Sequence, residues 1–212
     1  RYEWAVVDFA IWTAGAVTVP IYETSSADQV AWILSDSGAT VAVVERDEHA
    51  SAVESVRDQA PDLRAVYVID DDAIGTLTVA GQDVPDSELD ARRATLTADS
   101  LATLIYTSGT TGRPKGCELT HRNFLFEIGN GITLLDRYIN AQSSLLLFIP
   151  LAHVLARVLE VGAIKTRTIL GHTPDVKNLV EDLGAFKPTF VLAVPRVFEK
   201  VYNQAKATAD SG

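Results

Sequence analysis

Apolar and polar residues fall into an alternating series of helix-like and strand-like segments. Residues 2–15 predict a mostly buried helix and residues 16–21 a short strand. Ser26, Ala27, Asp28 and Gln29 spell a capping box, in which the two polar side chains satisfy each other's backbone N–H groups, so a helix is expected from there to about Gly38. Residues 40–44 form a β-branched run, 47–59 a polar-faced helix and 65–69 another strand. Residues 70–98, with Asp70, Asp71, Asp72, Gly75, Gly81 and Pro85, are acidic and turn-rich and predict a surface excursion between two parts of the fold. Strands are expected at 101–107, 144–149 and 189–194, and helices at 122–135, 151–164, 175–186 and 196–207. Pro174 and Pro195 stand where a first helical turn accepts proline.

Strands that are apolar on both faces and alternate with helices imply an α/β fold with a largely parallel sheet flanked by helices. The apolar stretch 145–164 is interrupted by Pro150, His153, Arg157 and Glu160, which argues against a bilayer span. The 212 residues are 47% apolar and 22% charged, enough to bury a core and unlike a disordered chain. A formal net charge of -10 leaves no electrostatic footprint for nucleic acid. The single cysteine, Cys117, excludes an internal disulfide framework, offers no zinc-ligand set and fits a reducing compartment. Nothing near it suggests a nucleophile, so it is expected in the core. The chain opens at Arg1 with neither a signal peptide nor a natural start.

The chemistry concentrates in residues 106–116, Tyr-Thr-Ser-Gly-Thr-Thr-Gly-Arg-Pro-Lys-Gly. Gly109, Gly112 and Gly116 let backbone N–H groups approach a ligand closely. Thr107, Ser108, Thr110 and Thr111 add hydroxyl donors, and Lys115 adds a mobile positive charge. Such a cluster suits phosphate oxygens and exceeds what a turn between two strands needs. The exposed loop is not the NTPase pattern, because Pro114 occupies the second glycine position counted from Gly109. Nor is Gly129-Asn-Gly131 a dinucleotide fingerprint, because Leu134 stands where the third glycine belongs.

Other polar residues are less informative by themselves. His153 follows a strand and precedes a helix, where α/β sheets place ligands, although a lone histidine on an apolar background also suits a structural role. Arg157 and Arg196 read as ordinary helix-surface or ion-pairing arginines. His49, His121 and His172 show no spacing with Cys, Asp or Glu that suggests a metal, and no metal ligand is expected. His121 and Arg122 follow the loop closely and could approach phosphate, or could simply be polar residues at a helix start.

Thr107-Ser-Gly-Thr-Thr-Gly-Arg-Pro-Lys-Gly116 resembles the signature loop of the adenylate-forming, acyl-activating enzymes, which include acyl-CoA synthetases, peptide-synthetase adenylation domains and firefly-type luciferases. Pro150-Leu-Ala-His-Val154, Gly171-His-Thr-Pro-Asp175, the run from Lys187 to Asn203 and Val19-Pro-Ile-Tyr-Glu-Thr-Ser25 are similar to long-chain fatty acyl-CoA synthetases, so the resemblance covers nearly the whole chain. It implies that Thr107, Ser108, Gly109, Thr110, Thr111, Gly112, Lys115 and Gly116 cradle the β- and γ-phosphates of ATP. It also implies that Lys115 is catalytic and that His153 borders the acyl carboxylate.

The implied architecture is part of the large N-terminal, AMP-binding domain, with the adenine, ribose and magnesium contacts and a C-terminal lysine-bearing domain lying beyond residue 212. The implied parent is a long-chain fatty acid–CoA ligase using ATP, Mg²⁺ and coenzyme A, cytoplasmic, with no transmembrane segment and room for peripheral membrane contact. The fragment alone is expected to be inactive. The loop itself does not choose the acid, so another acyl- or aminoacyl-adenylating enzyme is an alternative. A non-catalytic module binding an anion or a partner is a second.

Overall fold

The computed structural model describes residues 1–107, 113–135, 137–193 and 195–210. The chain divides into two compact units, Tyr2–Glu127 and Ile128–Gly212, the latter grouped with Arg1. Each is described by itself.

The first unit opens with helix α1 (Tyr2–Thr13), followed by α2 (Ala27–Ser37). The α2 capping box forms as its sequence predicts: Gln29 N–H donates to Ser26 Oγ at 3.3 Å, and Ser26 N–H donates to Gln29 Oε1 at 2.9 Å. Gly38 ends the helix at φ +63°, a left-handed conformation that favours glycine. Strand β1 (Val41–Val44), helix α3 (Asp47–Glu54) with a single 3₁₀ turn at Arg57–Gln59, and strand β2 (Ala65–Val68) then make a βαβ unit. The two strands pair in parallel, Val41 opposite Ala65 through Val44 opposite Val68. Val30, Ala31 and Leu34 of α2 close over this unit with Val53, Val56, Ala60 and Leu63. Apolar residues at helical spacing thus fix the position of α2.

The acidic stretch differs from its expectation. It folds into two helices, α4 (Ala73–Ala80) and α5 (Asp86–Ala94). Asp72 caps α4 by accepting from Gly75 N–H at 3.2 Å, and α5 carries Asp86 and Glu88 in its first turn and Arg92 and Arg93 in its last, the order its dipole favours. Strands β3 (Leu101–Thr107) and β4 (Lys115–Thr120) follow as an antiparallel pair. The predicted strand at 16–21 reduces to one bridge, Thr18 opposite Thr103, on the other side of β3. Trp12 reaches the same place from α1, donating its indole N–H to the Ala102 carbonyl at 2.7 Å. Within α1 only Asp8 and Trp12 are buried, so the expectation of a mostly buried helix is too strong.

Helix α6 (His121–Leu135) runs across the division. The second unit then repeats the β-α-β plan with β5 (Ser144–Leu147), α7 (Val154–Thr166) and β6 (Ile169–His172), whose strands are parallel in register from Ser144–Ile169 to Leu147–His172. A 3₁₀ turn (Val176–Asn178) leads into α8 (Leu179–Phe186), and α9 (Pro195–Asp210) closes the described chain. Among the described residues, the strand expected at 189–194 is present only as a bridge from Phe190 to Leu145. Leu146, Phe148 and Leu179 centre this unit's core, with Leu183, Phe186 and Val191 against them. Pro195 opens α9 as expected, whereas Pro174 lies outside a helix, before the Asp175 cap of the 3₁₀ turn. The fold is α/β: among the described residues, parallel pairs flanked by helices, with one antiparallel hairpin. Among the described residues, no helix is long and apolar enough to cross a membrane.

Candidate functional site

The glycine- and threonine-rich segment joins β3 to β4. Thr107 ends one strand and Lys115 begins the other, and the two are direct cross-strand partners. Cross-strand partners share a face, so the Thr107 and Lys115 side chains are neighbours, and both residues are exposed. Gly116 is also exposed and lies opposite Tyr106. Ser108, Gly109, Thr110, Thr111 and Gly112 lie outside the described residues. Gly116 has a clear steric reason to be glycine: a Cβ there would stand 3.2 Å from Tyr106 Cζ, so the aromatic ring lies close over its backbone.

Both arms of the segment are tied to α2. Tyr106 donates its hydroxyl to Asp36 Oδ2 at 2.7 Å. Burial, first, and then the hydrogen bond and charge of Asp36 push the Tyr106 hydroxyl above the usual phenol range, so it stays a neutral donor. On the other arm, the Trp32 indole N–H donates to the Pro114 carbonyl at 2.8 Å. The Arg113 guanidinium lies over the same indole, 4.6 Å from the ring centroid, at cation–π distance. Trp32 and Asp36 are four residues apart on α2 and therefore on one face. Sequence reasoning passed over both residues. Their partners stand 82 and 70 positions away, and no local pattern announces such pairings.

Cys117 corrects its expectation. It is exposed on β4, because β4 pairs only with β3 among the described residues and its first four residues are left uncovered. His121 and Arg122 separate from each other at the start of α6. The His121 ring packs edge-on to Trp12 with centroids 5.2 Å apart, and Phe124 meets Trp12 at 5.7 Å. Burial lowers the imidazole's proton affinity, opposed by the nearby Asp8 charge. Arg122 instead makes a forked ion pair with Asp99, at 2.5 and 2.8 Å, which in turn lowers the Asp99 carboxyl.

In the second unit, Pro150–Ala152 turn the chain from β5 into α7, and His153 is the helix N-cap, its Nδ1 accepting from Leu155 N–H at 3.2 Å. With Nδ1 so engaged, Nε2 is the nitrogen left for a ligand. Arg157 is not on the helix surface. It and Glu160 are fully buried, on one face of α7. Opposite charges three residues apart within an apolar helix were the available signal for this interior position. The Arg196 side chain lies outside the described residues. Among the described residues, no group of three or more His, Cys, Asp or Glu could hold a metal ion.

A family model described as AMP-binding enzyme matches residues 1–211. The chain is 51% identical to the long-chain-fatty-acid–CoA ligase FadD15 of Mycobacterium tuberculosis (strain ATCC 25618 / H37Rv), over 212 residues that cover 99% of this chain and 35% of that protein. Against the long-chain-fatty-acid–CoA ligase ACSBG2 of Xenopus laevis it is 31% identical over 223 residues, covering 97% of this chain and 30% of that one. The inhibitor-bound N-terminal domain of FACL13 from Mycobacterium tuberculosis matches the structure with a TM-score of 0.73 at 24% identity, over 95% of this chain and 49% of that one. The chain thus spans about a third of the length of the curated relatives it matches.

Proposed function

This chain belongs to the AMP-binding enzyme family, and from that premise we propose that it is part of the large N-terminal domain of a long-chain fatty acid–CoA ligase, with a lysine-bearing C-terminal domain beyond it. One observation carries the reading: the Thr107–Gly116 signature occurs in a chain 51% identical along its length to a long-chain-fatty-acid–CoA ligase. The reaction has two steps. A fatty carboxylate oxygen attacks the α-phosphorus of ATP, and the bond to the β-phosphate breaks to release pyrophosphate and leave acyl-adenylate. The coenzyme A sulfur then attacks the acyl carbon, and AMP departs.

In this reading Thr107, Ser108, Gly109, Thr110, Thr111, Gly112, Lys115 and Gly116 hold the β- and γ-phosphates. Catalysis by such a segment is mainly positioning and charge neutralisation. Lys115 opposes charge on the departing pyrophosphate, and Thr107 beside it adds a hydroxyl donor. His153 borders the acyl carboxylate, with Nε2 toward it. ATP enters as its magnesium complex. Among the described residues of this chain, no group of three or more His, Cys, Asp or Glu could hold that ion. Fatty acid, ATP and coenzyme A are the small-molecule partners. Such an enzyme works in the cytoplasm, with room for peripheral contact to a membrane.

The test is an assay of the enzyme that carries this chain with ATP, coenzyme A and a panel of carboxylic acids. Palmitate-dependent AMP release supports the proposal. Exchange driven by amino acids or short acids alone would move the assignment to another adenylating activity, and the absence of turnover with any acid would leave a binding module.

A further inference from the structure

Trp32 and Asp36 have no part in the reaction as read above, yet each reaches one arm of the segment that grips ATP. The Pro114 carbonyl that accepts from Trp32 belongs to the Pro114–Lys115 peptide, which is planar. Holding that oxygen therefore sets the plane from which the Lys115 backbone departs. The same indole carries the Arg113 guanidinium on its face, so two successive residues before Lys115 are fixed by one side chain. Asp36, one turn further along α2, fixes the ring of Tyr106, and Tyr106 covers Gly116 on the partner strand.

We propose that Trp32 and Asp36 are positioning residues for ATP: a two-point brace from α2 that holds Arg113, Pro114 and Lys115 on one arm and Tyr106 on the other. The inference rests on the reading that residues 107–116 grip the triphosphate. The brace has a physical purpose in that setting. Groups that hold a ligand must lose conformational freedom on binding, and ordering the two arms beforehand lowers that cost. A brace is useful only if it is itself rigid. Helix α2 meets that requirement, with caps at both ends and Val30, Ala31, Ile33 and Leu34 buried, while Trp32 is only partly buried and Asp36 exposed. The residues that anchor the helix are thus different from the residues that reach the segment.

The experiment uses the enzyme that carries this chain and separates the two half-reactions. Trp32→Ala is expected to raise KM for ATP about tenfold, having lost both the hydrogen bond and the cation–π face. KM for the fatty acid, and the conversion of supplied acyl-adenylate and coenzyme A to thioester, should stay within about twofold, because neither uses the β- and γ-phosphates. Trp32→Phe keeps the aromatic face and loses the N–H, so its KM for ATP should rise about three- to fivefold. Asp36→Asn keeps an oxygen for Tyr106 and should resemble the wild type, whereas Asp36→Ala should not. Should Trp32→Ala fail to fold, Trp32→Phe and the Asp36 pair carry the same comparison.

Amide exchange at residues 113–117 without nucleotide, read on the same proteins, should be faster in Trp32→Ala and unchanged in Asp36→Asn. An unchanged KM for ATP, or equal losses in both half-reactions, overturns the brace. If the wild-type enzyme shows no acid-dependent consumption of ATP, it is the underlying reading that has failed. In that case exchange alone decides whether the brace exists, and unchanged exchange in Trp32→Ala would refute it.

Discussion

Removal of the Lys115 ammonium offers the sharpest test of the proposed chemistry. Lys115 is exposed at the first position of β4, an arm tied to α2 through the neighbouring Pro114 carbonyl. Truncation at an exposed site away from the core should change folding stability by no more than about 0.5 kcal/mol. The loss of function should be much larger. A hydrogen bond to a charged group contributes about 1.5–3 kcal/mol, and each 1.36 kcal/mol is about tenfold in rate. Lys115→Ala should therefore slow adenylate formation roughly 10- to 100-fold. Exposure to solvent favours the lower half of that range, since water and salt screen a charge that is not enclosed.

The thioester step should be nearly spared, because pyrophosphate has left before coenzyme A attacks. Pyrophosphate release measures the first step, and thioester formed from supplied palmitoyl-adenylate measures the second. Lys115→Arg keeps the charge with a different shape and should restore part of the first rate. A parallel fall in both steps, or a large drop in unfolding midpoint, would falsify the phosphate role and make Lys115 a structural residue.

Three further outcomes follow from packing and protonation. Gly171→Ala should lower stability by about 1–3 kcal/mol, read as a lower urea midpoint. The new Cβ would stand 2.9 Å from Phe186 ring carbons and 3.2 Å from Leu146 Cδ1, so an unchanged midpoint would mean that this interior yields. Trp12→Phe should cost about 1 kcal/mol through loss of the buried N–H bond to Ala102, with the Thr18 N–H remaining on that carbonyl at 3.2 Å. For His121, burial lowers the folded-state affinity for a proton, so the unfolded chain binds more protons as the solution is acidified. Its contribution is complete above the ordinary histidine range near pH 6.5 and is lost as pH falls below it toward the lowered folded value. Thermal midpoints between pH 7 and 5 should fall less steeply in His121→Gln, and identical slopes would rule the histidine out.

Features written in adjacent residues were legible in the sequence, and features made by distant residues were not. The α2 cap is spelled by Ser26 and Gln29, and its end by Gly38, because capping bonds close within three or four residues. The β-α-β plan was legible from β-branched and apolar runs for the same reason. Helices α4 and α5 were hidden because Asp70–Asp72, Gly75 and Gly81 are also what a turn requires, and α5 has no buried face to give it a period. Strand β4 was hidden because Lys115, Gly116, Cys117 and Glu118 are all exposed and show no alternation. Its ladder with β3 holds it, and a ladder partner leaves no mark in the strand's own composition. Burial of Arg157 had one local sign, the opposite charge of Glu160 three residues on, and an exposed helical pair shows the same spacing.

The register of the hairpin shows why the residue types proposed to meet phosphate stand out in the sequence while the proposed brace does not. Alternation along two paired strands sorts their residues onto two faces. Tyr106 and Gly116 form one cross-strand pair, and the ring lies over the glycine while its hydroxyl reaches Asp36. Thr107 and Lys115 form the next pair, so a hydroxyl and an ammonium stand together on the opposite face. Phosphate binding selects residue types, which a sequence displays directly. Support selects a shape, so a tyrosine, a glycine and an aspartate qualify only through the distances between them. Substitutions at 106 should therefore act through the geometry of the arms, and substitutions of the 107 and 115 side chains through contact with phosphate. The two kinds are separable by experiment: an arm variant should lose affinity for ATP and gain amide exchange together, whereas Lys115→Ala should lose adenylation with exchange unchanged.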